Sequence, residues 1–241
     1  MSQVNLWNSA EHALSYLAKA DGIPHRTEGE AVLLEEVSKT VKRILDVGTG
    51  DGRLLGLLKY DRPNVECVAI DFSPTMLEKV RARFANDKNV TVIEHNFDDS
   101  LPDLGKFDAI VSSFAIHHVE DDRKRSLYTE IFNLLNPGGI FCNLEHVASA
   151  TPALHQKFRE ALGIGDTPDD PSNKLLDVET QLRWFREIGF DDVDCYWKWL
   201  ELALLVGVKP VTVNCQLSTA ILTELNQIGY LRFNSALVPV H

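Results

Sequence analysis

The chain has 241 residues, enough for one domain with a modest cap and an ample core. Its 44% hydrophobic and 24% charged residues are those of an ordinary globular protein, and 35 acidic against 24 basic residues leave a formal charge of -11. That balance argues against broad nucleic-acid binding by phosphate neutralisation, and the small basic clusters Arg81–Arg83 and Arg123–Arg125 read as solvated helix faces. Met1–Asn5 lacks the apolar core of a signal peptide and no apolar run is long enough to span a membrane, so a cytoplasmic location is expected. Cys67, Cys142, Cys195 and Cys215 are far apart and form no C-x-x-C, which predicts reduced thiols and no metal site.

Taken in order, Leu6, Ala10, Leu14, Leu17 and then Ala31, Leu34, Val37 fall at helical spacing, with a break at Asp21–Pro24, so two helices are expected between residues 5 and 39. Strands and helices alternate from residue 43: strands at Arg43–Val47, Asn64–Asp71, Val90–Ile93, Phe107–Ser113 and Ile140–Leu144. A helix after Ser73, with Ser73 as N-cap, and one over Asp122–Leu135 that ends at Asn136-Pro137-Gly138-Gly139 lie among them. Such alternation predicts an α/β fold with a mostly parallel sheet. Residues 147–175 hold a helix at Pro152–Ala161 and a long loop rich in Gly, Pro and Asp, which reads as a cap. A helix at Val178–Ile188 and a closing antiparallel pair, Asp192–Leu200 and Leu202–Val208, follow. The nearly uncharged tail 211–241, with a helix expected at Leu217–Ile228, is assigned to the sheet edge or to a partner subunit, a homodimer being the candidate assembly.

The first strand runs into Gly48-Thr49-Gly50-Asp51-Gly52. The dinucleotide fingerprint is not met, because the third glycine comes one place early and Arg53 holds its position. Asp46, two residues before the first glycine, is poor company for a pyrophosphate and suits a ligand with a cationic end. Asp71 ends the second strand, about 20 residues beyond the glycine turn, where an acid accepts both ribose hydroxyls of a nucleoside.

D-x-G-x-G-x-G at Asp46–Gly52 resembles motif I of the class I S-adenosylmethionine-dependent methyltransferases, and Asp71–Leu77 is similar to that family's D-x-S-x-x-M-L. The resemblance covers the chain from about residue 20 to 209. It implies a Rossmann-like, doubly wound, seven-stranded sheet with an antiparallel last strand, N-terminal helices and a cap between strands five and six, in one domain over 1–210. It also implies S-adenosyl-L-methionine as cofactor and transfer of its methyl group to the oxygen or nitrogen of a small organic acceptor. On the same grounds Asp46, Gly48, Thr49 and Gly50 hold the methionine part, Asp71 the ribose, and Phe72 and Met76 the adenine. Asn96 and Phe97 stand where the family has an acid and an apolar residue at the adenine amino group, with Asp98 a competitor one register on. Ser113 opens the segment facing the methyl group, and Arg26 is the candidate for the cofactor's carboxylate.

For catalysis, either His117 or His118 is placed to take a proton from the acceptor, and Glu145, with His146 beside it, is expected to face the acceptor. Trp197 and Trp199 are expected to shape the acceptor pocket with the cap. The segment Gly189–Lys209 also resembles the wobble-uridine carboxymethoxy branch, which includes carboxy-S-adenosylmethionine synthase; Lys174 is the nearest basic residue of the cap loop to that branch's carboxylate-gripping arginine. Such a synthase or another tRNA-modification enzyme is therefore the alternative reading, and a non-catalytic S-adenosylmethionine-binding protein the second. A nicotinamide oxidoreductase would need a better fingerprint. A nucleic-acid methyltransferase would need a basic face, and no N/D-P-P-Y/F follows the fourth strand.

Overall fold

The computed structural model describes residues 6–165 and 167–211; the expected tail helix and Cys215 lie outside the described residues. A 3-10 turn at Leu6–Asn8 leads to helices α1 (Ala10–Ala20) and α2 (Arg26–Glu36). Then come β1 (Arg43–Val47), α3 (Arg53–Asp61), β2 (Glu66–Asp71), α4 (Pro74–Arg83), β3 (Val90–Glu94) and β4 (Phe107–Ser113). After α5 (Asp121–Leu134) and β5 (Leu135–His146) the chain forms α6 (Pro152–Ala161), α7 (Val178–Ile188), β6 (Asp191–Trp199) and β7 (Leu202–Val208).

The seven strands form one sheet in the order β3-β2-β1-β4-β5-β7-β6. Strands β1 to β5 pair in parallel, and β7 slots antiparallel between β5 and β6, so the last strand of the chain runs against the rest as expected. Parallel strands are covered on both faces and read as apolar runs. Alternate residues accordingly feed two cores: Leu45, Val47, Val68 and Ile70 on one face, Ile44, Cys67 and Ala69 on the other. From β1 the chain winds outward through β2 and β3, then returns to place β4 on the other side of β1. The carboxyl ends of β1 and β4 therefore diverge into a crevice, where ligands bind in open α/β sheets.

Two local expectations are corrected. Strand β5 begins at Leu135, directly at the end of α5, and Asn136–Gly139 lies within it rather than forming a separate turn. Its neighbours supply the hydrogen bonds: Gly138 N donates to Lys209 O at 2.8 Å, and Asn136 Nδ2 to Asp108 Oδ1 at 2.8 Å, beside a register shift against β4. The basic cluster of α5 is a solvated face only in part, at the exposed Arg125. Lys124 is buried and its ammonium donates to Asp121 Oδ1 at 2.8 Å, because the cap loop folds over it. Among the described residues no helix is long and apolar enough to cross a membrane.

Candidate functional site

β1 delivers Asp46 to the crevice, and the glycine turn bends the chain over it. Gly48 N and Thr49 N both donate to Ile70 O at 2.9 Å, which ties the turn to β2. A Cβ on Gly48 (φ 72°) would stand 2.3 Å from the Ala115 Cβ, so the turn can approach the segment after β4 only without a side chain. The third glycine, Gly52, serves packing instead: a Cβ there would meet Val80 and Phe84, around the end of α4, within 2.9 Å. The Thr49 hydroxyl donates to Asp46 Oδ2 at 2.7 Å, while Asp46 Oδ1 is buried with no hydrogen-bond partner. Burial pushes the Asp46 carboxyl up to about 7, against the Thr49 hydrogen bond.

At the end of β2, Asp71 accepts Gly50 N at 2.8 Å and Ser73 N at 2.9 Å, and burial raises its carboxyl above the usual range against these bonds. The Ser73 hydroxyl makes no cap on α4 and is buried unpaired. In the loop after β3, Asn96 Oδ1 accepts Asp98 N at 3.0 Å, and Arg123 Nε holds Phe97 O at 2.7 Å while pairing with Glu130. After β4, Phe114 adopts φ 52°, a strained conformation for an aromatic residue, held by its amide on Leu144 O at 2.8 Å.

These segments line one cavity, about 780 Å³ with the solvent at its mouth included. Every residue expected at the cofactor lines it: Arg26, Asp46, Gly48, Thr49, Gly50, Asp71, Phe72, Met76, Asn96, Phe97 and Ser113. Asp98, the competitor to Asn96, lines it as well. Arg26 lies over the Phe114 ring at 5.2 Å; its Nε donates to Glu30 Oε1 at 2.9 Å and its Nη1 to Ala20 O at 3.2 Å. Glu30 is buried between two guanidinium groups, since Arg53 also grips it with both Nε and Nη2 at 2.8 and 2.9 Å. Arg53 and Asp51 line the cavity without having been expected there; the one available signal was their place at the mouth of the glycine turn.

A second chamber of about 510 Å³ adjoins the first, and Trp7, Tyr16, Phe114 and His118 line both. Its remaining wall is His117, His146, Asp170, Asn173 and Leu202. His117 Nδ1 lies 2.5 Å from Glu145 Oε1, and both groups are buried. Burial pushes the Glu145 carboxyl up to about 7 and, with the neighbouring His146 and Lys124 charges, holds His117 well below its usual range. The expectation that Glu145 faces the acceptor is corrected: it stands behind His117, since β5 turns its side chain into the core. His118 Nδ1 meets Ser172 Oγ at 3.1 Å and Ser172 O at 3.3 Å, joining β4 to the cap loop.

Trp197 and Trp199 are also corrected. Trp197 packs against Gly29 of α2, and Trp199 stacks on His25 at 4.4 Å and against Phe158 at 5.9 Å, because β6 is an edge strand away from the crevice. The aromatic wall of the chamber comes instead from the N-terminal segment, where Trp7 touches Tyr16 and His118 at 5.2 and 5.0 Å. His12, grouped with them by sequence, pairs with Asp170 at 3.4 Å and lies outside both spaces. Lys174 reaches Glu120 at 2.9 Å. Glu201, at the β6–β7 turn, is fully buried and accepts from His146, His155 and Ser149 at 2.9, 2.7 and 2.5 Å. It anchors α6, and no periodicity or motif marks it. Among the described residues no cluster could hold a metal ion.

A cavity at the switch point of a parallel sheet, with one acid under the glycine turn and another at the end of β2, defines a nucleoside-cofactor-binding α/β protein. Residues 44–139 match the methyltransferase domain family. The chain is 27% identical over 193 residues to carboxy-S-adenosyl-L-methionine synthase of Desulforapulum autotrophicum, covering 72% of this chain and 76% of that protein. It is 35% identical over 125 residues to an uncharacterized methyltransferase of Mycobacterium tuberculosis, covering 52% of this chain and 59% of the relative. The structure of an O-methyltransferase family protein from Burkholderia thailandensis superposes with a TM-score of 0.66 at 17% identity, over 86% of this chain and 62% of that one, which shows the shared fold. The matched domain, the relatives and the shared fold together support a class I S-adenosylmethionine-dependent methyltransferase.

Proposed function

We propose that the cavity under the glycine turn holds S-adenosylmethionine and that the adjoining chamber holds a small organic acceptor, which is methylated. The observation that carries this reading is the buried, unpartnered Asp46 Oδ1 under the glycine turn, in the same cavity as Asp71. A lone buried carboxylate oxygen asks for a cation, and the cofactor's ammonium is one. In the same reading Asp71 takes the ribose hydroxyls, Phe72, Met76 and Phe97 the adenine, and Arg26 the carboxylate. The bound cofactor supplies a methyl group already activated on a sulfonium, so the protein's work is alignment and exclusion of water.

His117 is the base of this reading. With Glu145 ionised, Nδ1–H donates to it, and Nε2 is left as an acceptor at the chamber wall. Glu145 is then a positioning residue that selects the tautomer. A second reading, formation of a carboxylated cofactor, is favoured by the synthase relative. The chamber speaks against it, since neither Lys nor Arg is among its described lining residues to pair with a carboxylate.

Calorimetric titration with S-adenosylmethionine and S-adenosylhomocysteine tests the assignment on wild type and on Asp71→Ala. Binding by wild type with a loss of at least about tenfold in the variant is expected, from removal of the buried acceptor of two hydroxyls. Wild-type protein that binds neither compound would sink it.

A further inference from the structure

The chamber beside the cofactor cavity has a composition that narrows the acceptor, on the methyltransferase reading above. Among its described lining residues Asp170 is the one carboxylate, beside the three histidines His117, His118 and His146. Burial alone would raise that carboxyl, but the Ser172 amide and hydroxyl at 2.9 and 2.7 Å, with His12 and His118 nearby, hold it below the usual range. Oδ1 takes both Ser172 bonds, whereas Oδ2 faces only His12, at 3.4 Å. An acceptor with a carboxylate or phosphate would meet this negative charge with neither lysine nor arginine among the described lining residues to balance it. Trp7, Tyr16 and Phe114 line the same space, and aromatic faces attract cations. His117, buried to 6% exposure, lines the chamber with its Nε2 in no hydrogen bond to a described residue.

The chamber also opens outward next to Asp170. A surface cleft between α1 and the cap loop shares Tyr16 and Asp170 with it, and Lys19 stands on the outer cleft and not among the chamber's lining residues. A cationic acceptor would be drawn in by a chain of formal charge -11 and would meet Asp170 at the junction of cleft and chamber.

We propose that the acceptor is a small molecule with a primary or secondary amine, held as an ammonium between the Asp170 carboxylate and the faces of Trp7 and Tyr16, and methylated on nitrogen after His117 takes its proton. The steps balance. The ammonium proton passes to His117 Nε2 and on to solvent. The freed nitrogen lone pair forms the N–C bond while the C–S bond breaks, and that bond's electron pair stays on sulfur to leave the neutral thioether. A hydroxyl acceptor would use His117 equally well but would draw nothing from Asp170.

The test uses full-length protein saturated with S-adenosylhomocysteine and three matched probes: phenethylamine, 2-phenylethanol and phenylacetate. Phenethylamine is expected to bind at least about tenfold more tightly than either of the others, from the ion pair and cation–π contact it alone makes. Asp170→Asn should remove that preference, with S-adenosylhomocysteine affinity measured in the same variant as the control for folding; Trp7→Leu should reduce it. The amine binding no better than the alcohol, or failing to bind at all, overturns the amine assignment, and so does a preference that survives in Asp170→Asn. The wild-type ratio decides even if the Asp170 variant does not fold. Absence of S-adenosylhomocysteine binding by wild type would instead overturn the methyltransferase reading on which the assignment rests.

Discussion

Asp46→Asn sets the stability of the ligand-free protein against its affinity for the cofactor. The carboxyl is fully buried and its pKa is raised from 3.8 to about 7. A group raised in the folded state stabilises fully below its unfolded pKa and loses that contribution as pH rises through the folded pKa. Ligand-free wild type should therefore weaken between about pH 4 and 7, by up to about 4 kcal/mol from three units at 1.36 kcal/mol each. Asparagine keeps the Thr49 hydrogen bond but buries an amide with no partner of its own, which returns about 1–3 kcal/mol of the gain. At pH 8 the variant should match or exceed wild type in denaturant midpoint, and at pH 4 that advantage should vanish. Binding works the other way, because a cofactor ammonium at Oδ1 demands the ionised form. Calorimetry in buffers of different ionisation enthalpy should then show wild type releasing about 0.9 proton on binding S-adenosylhomocysteine at pH 6 and about 0.1 at pH 8. Asp46→Asn should release neither and bind at least about tenfold more weakly at pH 8. Equal proton release by the two proteins at pH 6, or none by wild type, would refute the reasoning.

Gly48→Ala combines a left-handed backbone with a Cβ only 2.3 Å from that of Ala115, an atom no rotamer can move, so a loss of about 2–4 kcal/mol is expected in chemical denaturation. Gly50→Ala, with φ 56° and open space around it, should lose only about 1 kcal/mol; equal losses would show that the close approach to Ala115 does not matter. Glu201→Gln should lower the melting temperature by about 4–8 °C, from about 2 kcal/mol in a chain of this size. The hydrogen bond to Glu201 is the main cause of the raised His155 pKa, so that pair contributes fully below the usual histidine pKa and fades as pH rises through the raised value. The gap between wild type and Glu201→Gln should accordingly be wider at pH 5.5 than at pH 9, and a gap independent of pH would remove the His155–Glu201 pair as the anchor of α6.

Much of the cofactor cavity was legible because its residues sit at the ends of elements that announce themselves locally. Apolar runs bounded by glycine and acid place Asp46, the turn and Asp71 at strand ends, and a parallel sheet brings strand ends together whatever else the chain does. The acceptor side was not legible in this way. Trp7 and Asp170 are 163 positions apart and meet only because α1 and the cap loop both fold over the carboxyl ends of β4 and β5. Glu145 looked like a chamber residue, but a strand alternates its side chains, and only the register with β4 and β7 decides which face is core. Trp197 and Trp199 were drawn to the pocket by residue type, whereas their edge strand fixes them against α2 and α6. Glu201 carries no pattern at all, since three donors from separate segments converge on it. Local patterning by itself determined the fold and the strand-end residues of the cavity under the glycine turn; long-range packing alone decided which side chains line the adjoining chamber.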